Sequence, residues 1–202
     1  MKKAILAAGA VILLSLSALG QETPKAEVFG GYSYFRGDGG ANLHGWNGSI
    51  TGNLNRWFGV TADFSGHYNS NSSSLAVNLP QVPILATSVD ASTKVHNFLF
   101  GGTFSHRGGE RLVPFGHALA GFSRTDVSGT AVVTGLGSIV TTRFSGDDTA
   151  FAAAFGGGLD VKLTRSFAFR VVQADYLLTK FGRGTQSNAR ISTGIVFRFG
   201  EK

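Results

Sequence analysis

The feature that most constrains this chain is a period of two that recurs in segments of about ten residues. In Trp46-Asn47-Gly48-Ser49-Ile50-Thr51-Gly52-Asn53-Leu54 one face carries Trp46, Ile50 and Leu54, and the other Asn47, Ser49, Thr51 and Asn53. The next segment repeats it, with Val60, Ala62, Phe64, Gly66 and Tyr68 against Thr61, Asp63, Ser65 and His67. Successive side chains alternate across a strand, so such a pattern belongs to a β-strand with unlike faces. Similar segments near 26–36, 95–105, 112–124, 149–163, 167–178 and 189–199 bring the expected number to eight, with little helical periodicity between them.

The joins between these segments alternate in length. Those near 55–58, 106–111 and 164–166 are short, whereas those near 37–44, 69–94, 125–148 and 179–188 are mostly longer and rich in Ser, Thr, Asn and Gly. In an antiparallel up-and-down sheet alternate joins fall on opposite sides, so the long joins share one side and the short ones share the other with both termini. Strands of about ten residues suit a tilted membrane crossing, and closing the sheet pairs every backbone group without leaving an edge in lipid. The sequence therefore predicts an all-β, eight-stranded antiparallel up-and-down transmembrane β-barrel, with short periplasmic turns and longer outer loops. A ten-stranded barrel, with one loop supplying a further hairpin, is a lesser alternative. A soluble lipocalin-like barrel would alternate too, but with an apolar interior. Charged residues are only 15% of the 202 residues and glycine numbers 29, which with the small polar face favours the membrane version.

The first twenty residues read as an export signal. Lys2 and Lys3 precede an apolar run from Ala4 to Leu14, and small residues Ala18 and Gly20 lie ahead of Gln21. Residues 1–20 are expected to be a signal peptide and 21–202 the barrel. The chain has no Cys, which excludes disulfides and thiolate metal sites. The formal charge of +6 falls to +4 without Lys2 and Lys3, and no basic stripe supports a nucleic-acid partner.

Ser192-Thr193-Gly194-Ile195-Val196-Phe197-Arg198-Phe199 reads polar-x-Gly-x-x-aromatic-x-aromatic. Ser192, Gly194, Phe197 and Phe199 resemble the C-terminal signal by which the barrel-assembly machinery recognises its substrates, although Gly200-Glu201-Lys202 follow the last aromatic. In pattern the mature chain resembles the small outer-membrane β-barrel family, which includes the OmpA barrel domain, OmpX-like and opacity-like proteins. The resemblance implies outer-membrane lipid as the surrounding medium, both termini in the periplasm, and a non-enzymatic role in envelope structure, adhesion or surface contact. The resemblance is to members in which no peptidoglycan-binding segment is expected after the barrel.

Individual residues sharpen this picture. Trp46, Trp57, Phe58 and Tyr68 lie near strand ends, as an interfacial aromatic girdle would. If Thr164-Arg165-Ser166 forms a three-residue turn, Leu163 faces Phe167 and Asp160 faces Arg170 inside the barrel. This buried pair is expected to seal the lumen, with Asp63, Lys162, Arg190 or Arg198 as further partners, because an unpaired charge there is costly. A barrel of eight strands is only wide enough for side chains to fill, so a narrow channel is a rival reading rather than the first. Ser65 and His67, two apart on one face, allow a lipid-modifying enzyme as another rival, but their order is not the His-x-Ser of such barrels. Five scattered histidines offer no metal-ligand spacing, no cofactor is expected, and glycine pairs such as Gly101-Gly102 lie inside strands without a phosphate-loop signature. Residues 69–94 and 125–148 carry Leu75, Val77, Val132, Val133, Ile139 and Val140 among polar residues. Either the strands continue beyond the membrane as hairpins, or these loops present a contact surface to an unidentified ligand.

Overall fold

A computed structural model of the chain describes residues 23–79, 82–109, 111–135, 138–181 and 184–200; the expected signal peptide lies outside them. Eight strands follow one another: β1 (Ala26–Arg36), β2 (Asn42–Asn53), β3 (Phe58–Leu79), β4 (Val82–Ser105), β5 (Leu112–Gly135), β6 (Ser138–Lys162), β7 (Phe167–Phe181) and β8 (Gly184–Phe199). Each pairs antiparallel with the next, and β1 closes the ring on β8 from Ala26↔Phe199 to Arg36↔Ala189. Closure removes the free edges that hydrocarbon would not tolerate.

Which face points inward settles the medium. Asn47, Ser49, Thr51, Thr61, Asp63, Ser65 and His67 are buried in the ring, whereas Trp46, Ile50, Leu54 and Val60 are 46–54% exposed on its outside. A soluble barrel would have the reverse arrangement. The outward apolar band has the right height: ten residue steps from Val161 to Phe151 on β6 cover roughly 25 Å at a tilt of about 40°.

The segments at 69–94 and 125–148 are strand for most of their length. The β3–β4 ladder runs on through Ser74↔Ser88 to Leu79↔Val82, and the β5–β6 ladder to Gly135↔Ser138. The two hairpins also pair with each other, from Ser105↔Phe115 to Ala86↔Thr134. By contrast β2–β3 pairing ends at His44↔Tyr68 and β6–β7 pairing at Phe151↔Lys180. Strands β3 to β6 therefore rise from the ring as a four-stranded sheet with two open edges. Alternation with many β-branched residues continues through these segments, which is why they extend as ladders rather than loops. The join at 37–41 is short, since β2 starts at Asn42.

Along the same strands the polarity of the two faces inverts. On β4 the outward residues are Phe104, Phe100 and Phe98, then His96, Lys94, Ser92 and Asp90. The changeover lies just above one cross-strand row, Phe64↔Phe98↔Phe122↔Phe151, whose rings pack at 5.9 Å and 5.0 Å across the first two pairs. Above that row the inward face of the sheet carries Val89, Val127, Val133, Phe144 and Val140.

Close approach of strands relies on glycine at one inward pair in particular. Gly31 faces Gly194, and a Cβ on either would strike backbone atoms of the other strand. Gly194→Val is therefore expected to destabilise the β1–β8 seam by about 1–3 kcal/mol, the usual cost of overpacking. Urea unfolding of the refolded barrel, followed by the mobility difference between unheated and boiled samples, measures it.

Candidate functional site

Two regions have the makings of a site, namely the lumen and the protruding sheet. In the lumen the centre is Arg190 of β8, which has no solvent exposure. Its guanidinium donates to Asp63 of β3 at 2.7 Å and reaches Asp175 of β7 at 2.7 Å, with a further bond to Ser65 at 3.1 Å. Asn47 of β2 donates to the second Asp63 oxygen at 2.9 Å, and His117 of β5 lies 2.7 Å from Asp175. Gln173 links Asp175, at 2.8 Å, to Arg170, at 2.6 Å. Arg170 holds Asp160 through two bonds of 2.8 and 3.1 Å, a fork matched to a carboxylate. Its guanidinium is sandwiched between the rings of Phe29 and Phe115, at 4.3 and 4.1 Å. Ser33 of β1 and Asn97 of β4 join through His67 and Ser65, so all eight strands are tied across the interior.

The register delivers part of this network. The main chain of Leu163 and Thr164 donates to Phe167 O, which closes the tight turn and sets Asp160 opposite Arg170. The rest depends on a bulge. Leu159 pairs with Val172 and Asp160 with Arg170, leaving Val171 as an extra residue, and both valines face outward. The insertion changes the inward parity of β7 from Ala168 and Arg170 to Gln173, Asp175 and Leu177. Strict alternation hides Gln173 and Asp175 from a reading of the sequence that starts at Arg170. His117 and Asn47 were visible only as polar residues of an inward face. Of the expected partners, Arg190 and Asp63 join each other; Lys162 donates to Gly109 O at 3.3 Å, and Arg198 lies 3.3 Å from Glu27. Arg107, from the turn between β4 and β5, folds inward to Glu27 at 3.1 Å, with no marker in the sequence.

Among these groups lies a cavity of about 10 Å³, room for about one water. Toward the long-hairpin end an apolar layer of Phe35, Leu43, Val95, Leu99, Leu119 and Leu177 lies across the interior. Ser65 and His67 are both buried in the lumen and bonded to other partners, Ser65 to Asn97 and Arg190, His67 to Ser33. They do not form a nucleophile–base pair, and neither faces the lipid side. No cluster of metal-binding residues occurs among the described residues.

The aromatics near strand ends fall at two levels. Trp57 stacks on Phe104 at 5.7 Å with Arg56 over its ring, and Phe58 lies beside it, at the short-turn end. Trp46 and Tyr68 lie at the other end, Tyr68 hydroxyl 3.2 Å from His96. Near the C-terminus Ser192 donates to Ser33 at 2.9 Å, Gly194 packs on the β1 backbone, and Phe197 and Phe199 face outward, Phe197 against Phe167 at 5.0 Å.

The model of the outer membrane protein beta-barrel domain matches residues 6–199. The chain belongs to that family. It is an integral β-barrel of the bacterial outer membrane. Among solved structures it is similar to Ail, the attachment invasion locus protein of Yersinia pestis, at 18% identity and TM-score 0.53, covering 88% of this chain and 99% of that one. The same protein in complex with the heparin analogue sucrose octasulfate matches at 19% identity and TM-score 0.55, with the same coverage. OprG from Pseudomonas aeruginosa matches at 11% identity and TM-score 0.46 over 89% of this chain and 98% of that one. No curated protein sequence matches this outer-membrane barrel.

Removing one partner from a buried ion pair leaves a bare charge, usually at a cost of about 3–5 kcal/mol. Arg190→Met is expected to reach the upper part of that range, because it removes the guanidinium shared by Asp63 and Asp175. A double-mutant cycle with Asp160→Asn and Arg170→Met is expected to show coupling of about 1 kcal/mol or more, read from urea midpoints.

Proposed function

We propose that this barrel is a non-enzymatic surface-contact protein, with both termini in the periplasm and the four-stranded sheet standing outside the cell. The observation that carries the reading is the sheet itself. Strands β3 to β6 extend far past the ring at one end only, their outward face above the Phe64–Phe98–Phe122–Phe151 row is mostly polar, with Tyr68 at its base and Val132 and Ile139 near its tip, and the outer edges of β3 and β6 are unpaired there. An anchor for the envelope alone would need no such extension, and binding residues concentrate on segments held out by a rigid scaffold. Ail has been captured with a heparin analogue; at 19% identity that likeness is one of fold, so the surface reading here rests on this chain's own sheet.

The remaining roles follow the same orientation. Ser192, Gly194, Phe197 and Phe199 serve as the signal for the barrel-assembly machinery. Trp57 and Phe58 mark the periplasmic interface, and Trp46 and Tyr68 the outer one, where amphipathic rings suit the headgroup level. The Asp160–Arg170 pair and the Arg190 network seal the lumen, which disfavours the narrow-channel reading. The burial of Ser65 and His67 inside the seal disfavours the lipid-modifying reading.

Protease treatment of intact cells tests the orientation. Cleavage confined to the β3–β4 and β5–β6 hairpins, with the ring protected, is expected; hairpins cut only after the outer membrane is permeabilised would reverse the assignment. Cutting both hairpins back to the phenylalanine row should leave a barrel that still shifts mobility on boiling but has lost contact with its surface ligand.

A further inference from the structure

The outward face of the protruding sheet contains a hollow of about 560 Å³, within the size range of ligand sites. Its lining crosses all four strands in two neighbouring outward rows. One is Ser70↔Ser92↔Ser128↔Ser145, and the other is Ser72↔Asp90↔Thr130↔Arg143. Asp90 and Arg143 thus flank Thr130 from opposite sides, their backbones two strand spacings or roughly 10 Å apart. Arg124 nearby is already held by Asp126 at 3.5 Å and Asp147 at 3.2 Å, but neither Asp90 nor Arg143 has an ion-pair partner among the described residues. Behind the hollow, on the inward face, the Phe144 ring covers Gly129 so closely that a Cβ there would collide with it. An aromatic laid over a strand glycine stiffens the sheet at that point.

We propose that this hollow binds the saccharide headgroup of the outer-leaflet glycolipid that surrounds the barrel; the inference rests on the outward orientation given above. The chemistry fits a sugar ring. A carboxylate accepts from vicinal hydroxyls, a guanidinium donates to ring and hydroxyl oxygens, and the seryl and threonyl hydroxyls between them both donate and accept. The position fits the source. Asp90 is eight residues above Phe98 on β4, which at the strand rise and tilt is about 20 Å beyond the last lipid-facing phenylalanine row. That height lies past the acyl chains and the lipid headgroup phosphates, in the sugar layer. The face is turned sideways to neighbouring glycolipids rather than upward to the medium. Lys94, on the same face midway along that stretch, sits at the level of the headgroup phosphates.

The test uses the full mature barrel in lipid nanodiscs, titrated with the core oligosaccharide released from the source bacterium's glycolipid by mild acid and observed by amide NMR. Saturable shifts confined to residues 128–130, 143–145 and their neighbours at 70–72 and 90–92 are expected. Asp90→Asn and Arg143→Gln should each weaken binding by about tenfold, the effect of losing one charged hydrogen bond. Ser128→Phe, which fills the hollow, should abolish it. All three variants are surface changes, and an unchanged mobility shift on boiling confirms their fold. Shifts elsewhere, or equal affinity in wild type and variants, would overturn the proposal. So would binding of a soluble sulfated glycan at the hollow while the core oligosaccharide is inert. Hairpins cleaved on intact cells with no saccharide shift would sink this inference alone; hairpins not cleaved there would bring down the surface reading as well.

Discussion

Hydrocarbon offers a backbone amide no hydrogen-bond partner, and each unpaired N–H or C=O left in it costs several kcal/mol. Everything else in this barrel follows from meeting that requirement with strands. The β1–β8 ladder, eleven residue pairs from Ala26↔Phe199 to Arg36↔Ala189, closes the ring. Closure then turns one face of every strand toward lipid and the other toward a lumen too narrow to be left empty. Outward positions take Phe, Val, Ile and Tyr, and inward positions take groups that can satisfy one another. The Arg190 network meets that second need by linking carboxylates on β3, β6 and β7 to bases on β7 and β8 and to amides on β2 and β7, with Asn97 of β4 joined through the Ser65 hydroxyl.

Where the lipid ends, the constraint lapses and the design changes. Above the Phe64–Phe98–Phe122–Phe151 row the ring opens: β2 and β7 stop pairing, while β3 to β6 continue with open edges that water can solvate. The inversion of polarity on β4 and β5 falls within two residues of the phenylalanine row. His96 replaces phenylalanine on the outward side of β4, and Arg124 does so on β5. The segment outside the membrane is thus a continuation of the barrel wall, stiff enough to present small polar side chains at fixed spacing.

Much of this was legible in the sequence because the period-two signal is strong and the glycine-rich, charge-poor composition excludes most soluble alternatives. Strand number and order could be read directly from alternation, whereas the inward face of 46–54 and 60–68 needed the low charge, the glycine content and the small polar side chains as well. The Asp160–Arg170 register followed from the length of the turn at 164–166. Strand ends were less legible. Segments 69–94 and 125–148 are rich in Ser and Thr, with Asn in the first and Gly in the second, which suit a loop by composition although they alternate as strands. The lumen network was only half visible, since the bulge at Val171 changes parity within β7 and brings Asp175 and Gln173 to the inside. Arg107 reaches Glu27 from a turn, and no pattern along the chain announces that.

The absence of cysteine permits a direct test of the central claim that the faces are sorted by lipid below the phenylalanine row and by water above it. Single cysteines placed at each position from 90 to 104 on β4, labelled with a small fluorophore in vesicles containing brominated lipid, report contact with acyl chains. The account predicts quenching at 98, 100, 102 and 104, none at the intervening positions, and none on either face above His96. Quenching that continued to alternate through Lys94, Ser92 and Asp90, or that appeared at Leu99 and Asn97, would contradict it.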